Sequence, residues 1–128
     1  MRKALLLSLA LVPLGTSCVA AAAGAAAGFL VSREVLPNDL RTATVSFDVD
    51  EVWAISKERM EILSMTTIEV QEYPRVITGE VDGADVTIEV HAYDLDRTIV
   101  TVDATKFGFA KGETADRVMN AILDTLSR

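Results

Sequence analysis

Cys18 and His91 are the only cysteine and the only histidine in this 128-residue chain. Those counts exclude much chemistry at once. One cysteine forms no intrachain disulfide and no cysteine-based zinc site. One histidine supplies neither a histidine triad nor the paired histidines of a zinc-protease helix. His91 falls in an alternating segment, on the same side as Thr87, Glu89 and Tyr93. If the following strand pairs with that segment, Thr101 and Asp103 come alongside. A Glu–His–Asp group binds a metal or shuttles a proton. A surface histidine on a polar sheet face explains the same residues more simply, because scattered carboxylates around one histidine lack metal-site spacing.

The remaining carboxylates have local explanations. Asp48, Asp50 and Glu51 stand where a helix begins, and negative charge is favourable at a helix N-terminus. Asp82, Asp94 and Asp96 sit in turn sequences. The chain carries no nucleophile elbow, P-loop or dinucleotide fingerprint. The run Lys106-Phe107-Gly108-Phe109-Ala110-Lys111-Gly112 precedes a helix and offers an anion site. The preferred reading is a loop whose two Phe side chains tuck under that helix. The expectation is a non-enzymatic protein with no catalytic, cofactor-binding or metal-binding residues.

Cys18 is the more informative of the two single residues. Arg2 and Lys3 are basic, Ala4 to Leu14 is apolar, and Gly15-Thr16-Ser17 is small. That is the build of a secretory signal segment. A cysteine at the cut resembles the lipobox of bacterial lipoproteins, a Leu–small–small–Cys pattern in which the thiol is acylated. Leu14 stands one residue too early for that pattern, and Gly15 holds its place. Cleavage after Ala20-Ala21-Ala22 is an alternative. So is an uncleaved span, since Ala4 to Ser32 holds no charged side chain over 29 residues and a bilayer needs about 20. A lone cysteine fits acylation, because secreted chains usually pair their cysteines or omit them.

Residues 19–31 are Ala- and Gly-rich and favour helix. Gly24 and Gly28, four apart, share a helix face that lets a second helix approach in lipid. The simpler reading is a spacer between membrane and folded domain. Pro37-Asn38-Asp39 then marks the boundary of that domain.

Charge sets the partner class. Lys and Arg number 12 against 19 Asp and Glu, a net of −7. Nucleic-acid binding needs clustered basic residues and is disfavoured.

Beyond Pro37 the periodicity is readable. Ala43, Val45, Phe47 and Val49 alternate as a half-buried strand. A helix is expected from about Asp50 to Met65, with Asp48 or Asp50 as cap and Val52, Trp53, Ser56, Met60 and Leu63 on its buried stripe. Thr66 to Glu72 reads as a strand with Ile68 and Val70 inward, and Tyr73-Pro74 breaks it. Val76 to Val81 resumes, and Asp82-Gly83 signals a hairpin. Ala84 to Tyr93 places Val86, Ile88, Val90 and Ala92 on one face. Arg97 to Phe107 follows, with Val100, Val102 and Ala104 inward. Glu113 to Ser127 is an amphipathic closing helix through Ala115, Val118, Met119, Ile122 and Leu126.

These features together resemble a bacterial family of small lipoproteins with an uncharacterised domain. The resemblance rests on Cys18, the Ala/Gly run, Val52-Trp53 opening the first helix, Gly79-Glu80-Val81-Asp82-Gly83 and Val86-Thr87-Ile88-Glu89-Val90. It implies an envelope lipoprotein with no assigned activity. The element order is also similar to the helix-grip modules of a lipoprotein in the outer-membrane β-barrel assembly machine.

The resulting expectation has three parts: a signal peptide over 1–17, an acylated Cys18 with a tether over 18–39, and a small α+β domain over 40–128. The domain is a four- to five-stranded antiparallel sheet in the order β-α-β-β-β-(β)-α, with both helices on one face. The open face carries Thr87, Glu89, His91, Tyr93, Thr101 and Asp103. The expected partners are the membrane through Cys18, and an envelope protein or a second copy through Gly24 and Gly28. Alternatives are a membrane-inserted, self-associating helix and a carrier of small apolar ligands. The expected location is the cell envelope, facing the periplasm. By resemblance to enterobacterial sorting, Val19 after the cysteine points to the outer membrane.

Overall fold

In the computed structural model the described residues are 28–128. Cys18, Gly24 and the rest of the N-terminal segment lie outside them. The chain builds β1 (Leu30–Leu36), β2 (Leu40–Val45), α1 (Val49–Leu63), β3 (Glu69–Glu72), β4 (Arg75–Val81), β5 (Ala84–Ala92), β6 (Thr98–Lys106), β7 (Phe109–Ala110) and α2 (Gly112–Leu126). All pairings are antiparallel. The strand order is β1-β2-β6-β5-β4-β3, and the short β7 pairs with the end of β6. This is an α+β fold with seven strands rather than four or five.

The additional strands lie where local patterning is weakest. β1 occupies the stretch expected to be tether and pairs with β2 from Leu36 opposite Leu40 back to Leu30 opposite Val45. Pro37-Asn38-Asp39 is therefore the turn of a hairpin and not a domain boundary, with Asn38 and Asp39 at positive φ. Phe29 also belongs to the domain. Its carbonyl accepts from the Ser46 N–H at 2.7 Å, and its ring lies 5.6 Å from that of Phe47.

α1 begins where Asp48 accepts a hydrogen bond from the Glu51 N–H at 3.0 Å, so Asp48 and not Asp50 is the cap. Val52, Trp53, Ser56 and Met60 are buried as its spacing predicts. α2 buries Ala115, Val118, Met119, Ile122, Leu123 and Leu126. Both helices lie on one face of the sheet. α1 covers β4 and β5, and α2 covers β6 and β2. Between them and the sheet, Val45, Ile77, Val86, Ile88, Val90, Val100 and Val102 close the core. The Trp53 indole N–H donates to Glu72 at 2.8 Å, which pins the end of β3 to α1.

Two inward expectations fail at the margins of this core. Val70 lies opposite Ile77, on the helix side, yet is 42% exposed because β3 is an edge strand. Ala92 ends β5 and is exposed. Alternation chooses the face of a residue, but burial also needs something above it.

The β1–β2 hairpin is held to α2 by charge. Arg41 Nε donates to Asp116 at 2.7 Å, and Arg33 donates to Asn120 at 2.7 Å and to Asp116 at 3.4 Å. The hydrogen bond from Arg41 holds the Asp116 carboxyl below its ordinary value of 3.8. A depressed pKa means that this contribution is present above the unfolded value and is lost as pH falls through the folded one. Asp116→Asn is expected to cost about 1 kcal/mol at neutral pH, because the half-exposed carboxylate is partly screened by solvent. The gap from the wild type should close in urea titrations carried below about pH 4.

Candidate functional site

The open face of the sheet is the first place to look for function, because the helices leave it uncovered. Its middle rows are set by register. Thr42, Thr101, Glu89 and Val76 form one row across β2, β6, β5 and β4. Asp103, Thr87, Thr78 and Glu69 form the next, across β6, β5, β4 and β3. Thr44, Ile99 and His91 form a third, on the other side of the first. Threonines and carboxylates dominate this face, and its strand positions hold no lysine or arginine.

Register decides the fate of the expected His91 group. His91 lies opposite Ile99, Glu89 opposite Thr101, and Thr87 opposite Asp103. Thr101 is thus one row from the imidazole and Asp103 two rows, about 13 Å along the strand. Of the expected cluster only Glu89 reaches His91, at 3.6 Å between Nε2 and Oε2, with both side chains about half exposed. The triad of Glu, His and Asp is not assembled. Among the described residues no three His, Cys, Asp or Glu side chains are grouped to hold a metal ion. Tyr93 falls just past the end of β5, where the Arg97 guanidinium lies 4.6 Å from its ring centre. What the register leaves here is one histidine–carboxylate pair, about half open to solvent.

The second candidate lies at one end of the sheet and departs from expectation. Phe107 is 89% exposed and Phe109 73% exposed. Neither tucks under α2. The cause is the turn. Phe107 at φ 52° and Gly108 at φ 79° reverse the chain so tightly that β7 pairs directly back onto β6, Lys106 opposite Phe109. Aspartate and asparagine accept positive φ readily, whereas a bulky aromatic residue seldom does. Asp82-Gly83, with φ 52° and 76°, is the same kind of turn with a favourable residue, and there the expectation holds. The Lys106 ammonium lies 5.7 Å from the Phe107 ring centre. This end therefore shows two aromatic rings and, nearby, Lys106 and Lys111. Sequence reasoning missed it because apolar rings read as core; the Phe-Gly pair was the only local sign of a hairpin.

No family model and no curated protein matches this chain. What bears on function is therefore the two surfaces and the N-terminal segment. The described chain begins at the other end of the sheet from Phe107. Phe29 packs beside Phe47 there, and Val45 opposite Thr98 marks the same end of β2 and β6. Exposed Tyr73, Tyr93 and Leu95 stand in the turns at that end. Among the described residues no helix is long and apolar enough to cross a membrane.

Proposed function

We propose that this protein is a non-enzymatic lipoprotein of a bacterial cell envelope, and that its domain is a docking module for a partner protein. The observation that carries the reading is the lone Cys18 behind a basic, apolar and then small-residue segment. The resemblance to small envelope lipoproteins points the same way. The arrangement of the domain is compatible with it. The exposed Phe107 and Phe109 stand at the end of the sheet opposite Phe29, near which the described chain begins. The core between sheet and helices is filled by Met60, Met119 and Ile122, which favours docking on the outside over carrying an apolar ligand within.

Intact mass of the membrane-extracted protein tests the anchor. The expected species starts at Cys18 and carries the added mass of acyl chains. Cys18→Ser is expected to lose that mass and to leave the membrane fraction. A mature wild-type chain with an unmodified cysteine, or one still carrying residues 1–17, would sink the reading. Crosslinking from envelope fractions tests the docking role, and no partner enriched over an unrelated lipoprotein counts against it.

A further inference from the structure

β1 is joined to the domain differently from the other long strands. None of its residues is buried: Leu30 and Ser32 are half-buried and the rest are exposed. The core is built from β2, β4, β5, β6 and the two helices, and no residue of β1 belongs to it. Only Phe29 and Leu30, at the start of the strand, pack against it. The pairing of β1 with β2 is also interrupted, by a register shift between Leu30 and Ser32, which disrupts the ladder locally.

What holds β1 is therefore a short ladder and two side attachments. At its start the Phe29 carbonyl accepts from the Ser46 N–H, and the Phe29 ring lies against Phe47. At its middle Arg33 donates to Asn120 and Asp116 on α2. The side chains of that ion pair are 34% and 42% exposed, so water replaces the contact at little cost. Asp116 keeps its bond from Arg41, at 2.7 Å, when Arg33 leaves. Loss of β1 thus withdraws no buried side chain from the core and strands no carboxylate. It gives up the backbone bonds to β2, which water takes over on both strands, and it returns conformational freedom to the freed backbone.

We infer that β1 is a releasable strap. Residues 30–36 leave β2 as one unit, pivoting at Pro37-Asn38-Asp39, while β2 to β7 and both helices stay folded, and Arg33 is the latch. Release moves the place where the chain enters the folded core. With β1 docked the chain enters beside Phe47, just past one end of β2; with β1 released it enters at Leu40, the other end. Residues 30–39 then reach about 33 Å when extended. On the reading that the N-terminal segment is an anchor, release lengthens the link between anchor and core by up to that distance. The release itself does not rest on that reading.

Hydrogen exchange of the full-length chain in non-ionic detergent, read at single amides by NMR, tests it. The β1 amides that bond to β2 are expected to be about a hundredfold less protected than those of β6, and to share one opening constant. Arg33→Ala, at an exposed position, is expected to speed exchange in β1 about threefold and to leave β6 unchanged. A β1 as protected as β6 overturns the inference, because the strand then opens only when the whole domain unfolds. Protection that rises steadily from Leu30 to Leu36 overturns it too, because the strand then frays from one end. An R33A chain in which β1 exchanges as in the wild type overturns the latch. One in which β1 and β6 speed up alike overturns the independence of the strap. None of these outcomes depends on whether Cys18 is acylated. Far-UV circular dichroism of the variant confirms that the sheet is intact.

Discussion

Trp53→Ala is expected to cost about 3–5 kcal/mol, a large part of the stability of a domain this size. Trp53 is the largest side chain on the buried stripe of α1 and is only 5% exposed. Removing it opens a cavity that α1, capped at Asp48 and packed on β4 and β5, cannot easily close. It also removes the indole donor to Glu72 and the ring face under the Lys57 ammonium, which lies 5.2 Å from its centre. The lost hydrogen bond costs little in itself, because Glu72 is exposed and finds water instead. Urea unfolding followed by circular dichroism should therefore separate two variants. Trp53→Ala should lower the midpoint greatly, and Glu72→Ala, which removes the acceptor, only slightly. Equal shifts would mean that the hydrogen bond and not the packing holds this corner.

Gly79→Val is expected to be comparably damaging, at about 3 kcal/mol, for the opposite reason. Gly79 sits within β4 opposite Val86, on the face that α1 covers. A Cβ there would lie 2.8 Å from the Met60 methyl and 2.9 Å from Ser64 Oγ, with Ile68 at 3.2 Å. The glycine is needed because the last turns of α1 press directly on the strand. Alanine should be milder, about 1 kcal/mol, because the end of the Met60 side chain can swing away. Valine cannot be accommodated so simply. Pairing Gly79→Val with Met60→Ala should recover part of the loss, since the two changes share one space and will not add. Full additivity in thermal melts would show that α1 does not rest on Gly79.

Ser64 explains why that close approach is maintained. Its Oγ donates to the Thr66 carbonyl at 2.8 Å and accepts from the Thr66 and Glu80 N–H groups, each at 3.3 Å. The Met65 N–H donates to the Glu80 carbonyl at 2.8 Å. The chain leaving α1 is thus bound to β4 just beyond Gly79. Nothing in the local sequence of Gly79 announces this. A glycine in a strand signals close approach of some other group, but the group is named only by the fold.

The same division runs through the functional surfaces. The alternation of Val86, Ile88 and Val90 correctly placed His91 and Glu89 on the outer face. It did not place Asp103 relative to His91, because the face of a residue follows from its own strand while its row follows from the turn and the partner strand. The five-residue turn between Ala92 and Thr98 sets that register. Phe107 and Phe109 show the converse error. Their types argued for burial, and the backbone reversal at Phe107-Gly108 carried them outside.

By itself the sequence determined what local physics controls: two amphipathic helices, the alternating central strands, the Asp82-Gly83 hairpin and a small α+β domain. It also contained β1, unread as a strand because an Ala/Gly-rich run precedes it and a proline turn follows. Only the tertiary structure decided that β2 lies beside β6, a pairing between segments more than fifty residues apart. That pairing creates the clamp of Arg33 and Arg41 on Asp116 and leaves β1 at the margin, while the register of β5 on β6 separates Asp103 from His91. Periodicity is a property of neighbouring residues and survives in the one-dimensional text. Register and edge position depend on contacts between distant segments, and those exist only once the chain has folded.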